Sequence, residues 1–187
     1  MRALIIQLLF LLCSSEVFAW SLDPSQYVEP QRNAFRQHVI NLYEEKNYSA
    51  LEELSQSVLE EQSELADGTW LIHELMLAIR KSTNGIQRPK NYFPRLQAWE
   101  KAHPNSSIPQ LLKADAYRQL AWKARGTGTI DTTHTEGRSK FKELIEKALN
   151  ALKNSEDLDH PEYYRILLAS AKAAQFPKQQ LISIFQV

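Results

Sequence analysis

The spacing of apolar residues restricts the fold of this chain more than any other feature. Apolar side chains recur at three- and four-residue steps, and no segment after residue 19 alternates apolar and polar residues for more than a few positions. Leu51, Leu54, Val58 and Leu65, for example, form one stripe with glutamates mostly on the other side. This period is that of an α-helix with one buried face, so the sequence predicts an all-α protein.

Turn residues and capping patterns divide the chain into seven or eight helices. Ser49 and Glu52 have the spacing of a capping box. The run from Trp70 to Lys81 is apolar nearly all round and is predicted to be deeply buried. The predicted helices are 31–45, one that begins near Ser49, 70–81, 92–102, 108–125, and further ones that begin near Thr135, Pro161 and Leu181.

Short connections between these helices favour antiparallel helical hairpins. Prolines at helix starts, and Ala, Tyr and Leu at contact positions, resemble a tetratricopeptide-type stack. The consensus Trp-Leu-Gly-Tyr spacing is absent, and the connection after Arg125 is long for such a repeat. We therefore predict a degenerate tetratricopeptide-like stack, with a plain helical bundle as the alternative.

The N-terminus has the order of a secretory signal peptide. Arg2 is followed by the apolar run 3–12 and by a polar stretch that ends in Val17-Phe18-Ala19. This order predicts cleavage after Ala19, a signal peptide at 1–19 and a single helical domain at 20–187. We expect a periplasmic or extracellular protein without a stable membrane span, because ten apolar residues are too few to cross a bilayer. An uncleaved N-terminal anchor is the alternative.

Composition excludes several classes of function. Lys plus Arg total 22 and Asp plus Glu total 22, and this balance argues against a nucleic-acid binder that neutralises phosphates. The single cysteine, Cys13, lies in the predicted signal peptide, and the residue before it, Leu12, is too large for the usual lipoprotein site. His73-Glu74 lacks the second histidine of a zincin motif, and no Gly-x-Ser-x-Gly motif is present. We expect no cofactor.

The strongest local signal lies at the end of the helix predicted at 108–125. Trp122 and Arg125 are one turn apart, which places an aromatic face beside a guanidinium. Gly126 suits a left-handed helix C-cap, and Gly128 permits a close approach of the backbone to another group. Together they indicate a site for an anionic ligand or a peptide.

The loop that follows holds three further polar side chains, on Asp131, His134 and Glu136. They allow a metal-binding or catalytic interpretation. We favour an architectural interpretation, in which Gly126 caps the helix and Arg125 closes the loop onto the helices by pairing with loop carboxylates or with carbonyls. The candidate ligand-binding residues are Trp122, Arg125, Gly126, Gly128, Asp131, His134 and Glu136.

The same segment resembles a bacterial family, domain of unknown function 4034. The residues that carry this resemblance are Ala-Trp-Lys-Ala-Arg-Gly-Thr-Gly at 121–128, Thr-Glu-Gly at 135–137, Phe141, Ala148, Leu152, Asp-Gly-Thr-Trp at 67–70 and His-Pro-Asn-Ser at 103–106. The resemblance covers about residues 67–176. It implies a helical, repeat-like domain without an established activity. It also implies that the last repeat is incomplete, because the family continues with a further helical pair.

These observations predict an exported helical-repeat scaffold that binds a protein or peptide partner. The alternative is an enzyme or a small-ligand-binding protein with its site on the Arg125–Glu136 loop. The identity of the partner, any catalytic activity and the oligomeric state do not follow from the sequence.

Overall fold

The computed structural model describes residues 28–126, 135–155 and 160–183. The prediction of an all-α protein is confirmed, since these ranges form eight helices and a single isolated β-bridge between Glu64 and Trp70. The helices are α1 (Val28–Glu44), α2 (Tyr48–Glu60), α3 (Leu71–Lys81), α4 (Pro89–Ala102), α5 (Ile108–Arg125), α6 (Thr135–Lys153), α7 (Pro161–Ala173) and α8 (Lys178–Ser183). The predicted signal peptide, its cleavage site and Cys13 lie outside the described residues.

The start of α2 differs in detail from the predicted capping box. Lys46 has a φ of 59°, and the side chain of Asn47 then accepts a hydrogen bond from the Ala50 amide at 3.3 Å. Asn47 is therefore the N-cap. Ser49 and Glu52 serve other contacts, because the Ser49 hydroxyl lies 3.3 Å from His103 Nε2 and the Glu52 carboxylate accepts a hydrogen bond from the Trp99 indole.

The helices pack around one large apolar core and one smaller cluster. The large core includes most of α3, whose predicted burial is confirmed, although Trp70 is 43% exposed because it precedes the helix in an extended conformation. The smaller cluster contains Ala121, Leu144 and Ile145, and it joins α5 to α6. Leu120 and Leu149 pack against both clusters.

A buried carboxylate on α5 links three helices. Asp115 is 2% exposed and binds Arg80 of α3, while Arg118 of α5 contacts it at 2.7 Å. Arg165 of α7 lies 3.8 Å from the same carboxylate, and the Gln119 amide donates to it at 2.8 Å. Burial raises the pKa of Asp115, but the three guanidinium groups outweigh it and hold that pKa below its usual value.

A second ionic group ties α7 to α3. Glu162 is buried, and its carboxylate lies 2.9 Å from His73 Nδ1 and 2.6 Å from an Arg165 guanidinium nitrogen. Burial raises the pKa of Glu162, but these two partners lower it by more. Since Arg165 contacts both Glu162 and Asp115, the N-terminal half of α7 is fixed to α3 and α5 by one continuous network.

Removal of the central charge should weaken the fold strongly. We expect Asp115→Asn to lower the free energy of unfolding by about 3 kcal/mol, because it leaves the partly buried guanidinium groups of Arg80 and Arg118 without their counter-ion. Chemical denaturation followed by circular dichroism measures the change. Glu143→Gln is the matched control, since Glu143 binds Lys140 and Lys147 on the exposed surface of α6 and should leave the unfolding midpoint unchanged. Equal, small effects of the two variants would contradict the role given to Asp115.

The same network predicts a loss of stability in acid. The folded-state pKa values of Asp115 and Glu162 lie below their unfolded values, so their contribution is present above about pH 4.5 and disappears as the pH falls through the folded values. We expect the free energy of unfolding to decrease from pH 5 towards pH 3, and to decrease less steeply in Asp115→Asn. A variant with the same slope as the wild type would show that Asp115 does not contribute to acid unfolding.

Candidate functional site

A groove of about 740 Å³ opens where the C-terminal ends of α5 and α7 meet one face of α6. Its volume falls within the range of about 300–1,000 Å³ that is typical of ligand sites. The groove is lined by Trp122 and Arg125 of α5, by Arg138, Phe141, Lys142, Ile145, Glu146 and Leu149 of α6, by Ala169, Lys172 and Ala173 of α7, and by residues 174–176 after α7.

The floor of the groove is apolar. Phe141, Ile145 and Leu149 follow one another at four-residue steps and therefore share one face of α6. The opposing residues of α7, Ala169 and Ala173, have small side chains that fill little of the space. Near the chain turn that ends α7, the wall of the groove is completed by Phe176.

An aromatic and a guanidinium group form one edge of the groove. Trp122 is 43% exposed and meets the ring of Phe141 edge to face, with 5.0 Å between the ring centroids. The Arg125 guanidinium carbon lies 5.2 Å from the centroid of the Trp122 ring, which is the geometry of a cation–π pair. Gly126 follows with a φ of 76°, a conformation that favours glycine, and its amide donates to the Trp122 carbonyl.

Four cations surround the apolar floor, and a single carboxylate, Glu146, accompanies them. Within the part of the chain that the structure describes, none of the four forms a salt bridge. They are Arg125, Arg138, Lys142 and Lys172. Elsewhere on α6, Lys140 and Lys147 both bind Glu143. The described lining of the groove therefore combines apolar surface with a net positive charge.

The candidate residues from the sequence fall into three groups. Trp122 and Arg125 line the groove, and Gly126 ends the helix that carries them. Glu136 is exposed in the first turn of α6, outside the groove lining, and forms no salt bridge with Arg125 among the described residues. The remaining three candidates, Gly128, Asp131 and His134, lie outside the described residues, so the interpretations that depend on them stay predictions.

The basic residues of the groove that follow Glu136 were not among the candidates predicted from the sequence. Arg138 and Lys142 are four residues apart and flank Phe141 on the same face of α6. That combination of cation and aromatic spacing was a usable signal. Lys172 joins them only through the packing of α7 against α6, so its part in the groove could not be read from local sequence.

Two further features bear on the chemistry of the chain. No cluster of three or more His, Cys, Asp or Glu side chains suited to a metal ion occurs among the described residues. Within the same ranges, none of the helices combines the length and the hydropathy needed to cross a membrane. The carboxylate–imidazole pair of Glu162 and His73 does not line the groove.

Comparison of the chain with protein-family models, with curated proteins and with solved structures finds no match. The resemblance to domain of unknown function 4034 stays a prediction. The function is therefore argued from the groove itself.

The geometry of Arg125 predicts a small effect on stability. Its described partner is the exposed Trp122 ring, and an exposed cation–π pair contributes about 0.5–1 kcal/mol. We expect Arg125→Lys to change the free energy of unfolding by less than about 1 kcal/mol. Arg80→Lys is the control, since Arg80 binds the buried Asp115 and its replacement should cost clearly more in the same denaturation experiment. A large loss for Arg125→Lys would instead support the view that Arg125 fixes the following loop.

Proposed function

We propose that this protein is an exported helical-repeat scaffold that binds a protein or peptide partner in the groove between α5, α6 and α7. The observation that carries the proposal is an apolar floor whose described lining holds four cations and one carboxylate, and therefore a net positive charge. Exposed apolar surface with a polar rim is typical of interaction sites, because its burial stabilises a complex while the rim fixes orientation.

A small amphiphilic ligand is the alternative, and the size of the groove favours it as a second candidate. About 740 Å³ is also sufficient for a molecule of drug size. An enzyme would need acid, base or nucleophilic groups converging on the ligand. Among the described lining residues there is a single carboxylate, Glu146, and no histidine, serine or cysteine. Binding is therefore the function that this groove supports best.

Site-specific cross-linking in the cell envelope tests the proposal. A photoreactive phenylalanine analogue in place of Gln175 lies on the groove, and the same analogue in place of the exposed Gln97 of α4 is the matched control. We expect a discrete cross-linked partner from position 175 and none from position 97. N-terminal sequencing of the protein from the same fraction should give Trp20 as the first residue.

Filling the groove should abolish that cross-link. Ala173→Trp places a large side chain on the groove wall, whereas Ala102→Trp adds the same bulk at an exposed position on α4. The cross-link should disappear in the first variant and persist in the second, with both melting like the wild type. A cross-link that survives Ala173→Trp, or that forms equally from position 97, would contradict a binding site in the groove.

A further inference from the structure

We propose that the partner segment is an acidic amphipathic helix of about three turns, with its apolar face on the floor of the groove and its carboxylates on the four surrounding cations. This inference rests on the proposed function and specifies the chemistry of its ligand. It follows from the shape of the groove, from its charge and from the arrangement of its aromatic edge.

The length of the groove fits a short helix. The lining residues of α6 extend from Arg138 to Leu149, which corresponds to about 16 Å at about 1.5 Å per residue. A helix of three turns has the same length. The side chains of Ala169 and Ala173 are small and leave room on the α7 side of the groove. A bound helix therefore has room to pack against α7 at the usual interaxial distance of about 8–10 Å.

The positions of the cations specify an acidic segment. Arg138 and Lys142 lie one turn apart on α6, while Arg125 and Lys172 occupy the last turns of α5 and α7. They flank the apolar floor, so an apolar stripe bordered by glutamates or aspartates would be complementary to them. Arg138, Lys142 and Lys172 are exposed, so their pairs with a ligand would select it by charge more than they would add to affinity.

The aromatic edge adds an anchor for a carboxylate. The Arg125 guanidinium carbon lies over the Trp122 ring, 5.2 Å from its centroid, and a guanidinium held there can still donate its N–H groups to a carboxylate. The exposed Trp122 ring also gives a flat apolar contact for the end of the helix. At this edge, Trp122 can therefore contact an apolar residue of the ligand while Arg125 binds an acidic residue next to it.

Other classes of ligand match the charge and the apolar surface of the groove less well. A fatty acid carries one carboxylate and would leave three of the four cations without a partner. Two copies of this chain joined through the same face would bring both sets of cations together, which repulsion disfavours. A multivalent acidic peptide satisfies the charge and the apolar floor at once.

Two designed peptides test the inference on the full mature chain. The first is a fluorescein-labelled peptide of about 11 residues, the length of three helical turns, with leucines at positions i, i+3, i+4 and i+7 and glutamates elsewhere; the second has lysine at every glutamate position. Fluorescence anisotropy measures the affinity of each peptide. We expect the acidic peptide to bind, the basic peptide to bind at least tenfold more weakly, and the affinity for the acidic peptide to fall with added salt.

Charge reversal on α6 supplies the matched controls. Arg138→Glu with Lys142→Glu reverses the groove, whereas Lys140→Glu with Lys153→Glu makes the same change of net charge at exposed positions outside it. The groove variant should bind the acidic peptide at least tenfold more weakly and gain affinity for the basic peptide. The control variant should bind both peptides as the wild type does, and circular dichroism should show both variants folded.

Several results would overturn the inference. Equal affinity for the two peptides would show that charge does not select the ligand, and equal effects of the two double variants would place the binding elsewhere. Binding of dodecanoate at one to one, blocked by Ala173→Trp, without peptide binding would identify a small amphiphile site. If the cross-link from position 175 persists while the acidic peptide fails to bind, the proposed function stands and this ligand chemistry is wrong; if both fail, both are wrong.

Discussion

The arrangement of α3, α5 and α7 depends on the buried carboxylate of Asp115. A charge removed from water is costly unless it is paired and hydrogen-bonded, and here Arg80, Arg118 and Arg165 supply the counter-charges from three helices. The network is complete only when these helices occupy their observed positions. Burial of the apolar core supplies most of the free energy that stabilises the fold. The ionic network favours the one arrangement of α3, α5 and α7 in which Asp115 is fully paired.

This arrangement also determines where the groove opens. The N-terminal half of α7 is fixed by Glu162 and Arg165, and Ile166 beside them is fully buried. The C-terminal half of α7 presents the small side chains of Ala169 and Ala173 towards α6. Meanwhile, α6 is held against α5 by the cluster of Ala121, Leu144 and Ile145. The groove therefore lies between α6 and the C-terminal half of α7, beyond the N-terminal half that the ionic network fixes.

Local sequence predicted the helices well because helical periodicity and end signals are local properties. The bounds of α5, Ile108–Arg125, agree with the prediction, since Pro109 and Gly126 define its ends. The start of α3 and the cap of α2 were displaced, because Trp70 pairs with Glu64 and Asn47 takes the cap position. In both cases the conformation of the preceding turn determines where the helix begins, and the spacing of side chains does not show that conformation.

The ionic network and most of the groove could not be predicted in this way. His73 and Glu162 are 89 positions apart, and Arg80 and Asp115 are 35 apart, so only the packed structure brings them together. Trp122 and Arg125 were identified because they are neighbours on one helix. Lys172 belongs to the groove only through the packing of α7, and the sequence carries no local trace of that contact.

Amide hydrogen exchange of the full mature chain, with and without the acidic peptide at saturation, tests the central claim most directly. A helix bound in the groove should reduce local opening and slow exchange in residues 138–149 of α6 and 169–176 around the end of α7. Exchange in α1 to α4 should remain unchanged. Slower exchange confined to α1 to α4, or none in α6 with the peptide bound, would contradict a binding site between α5, α6 and α7.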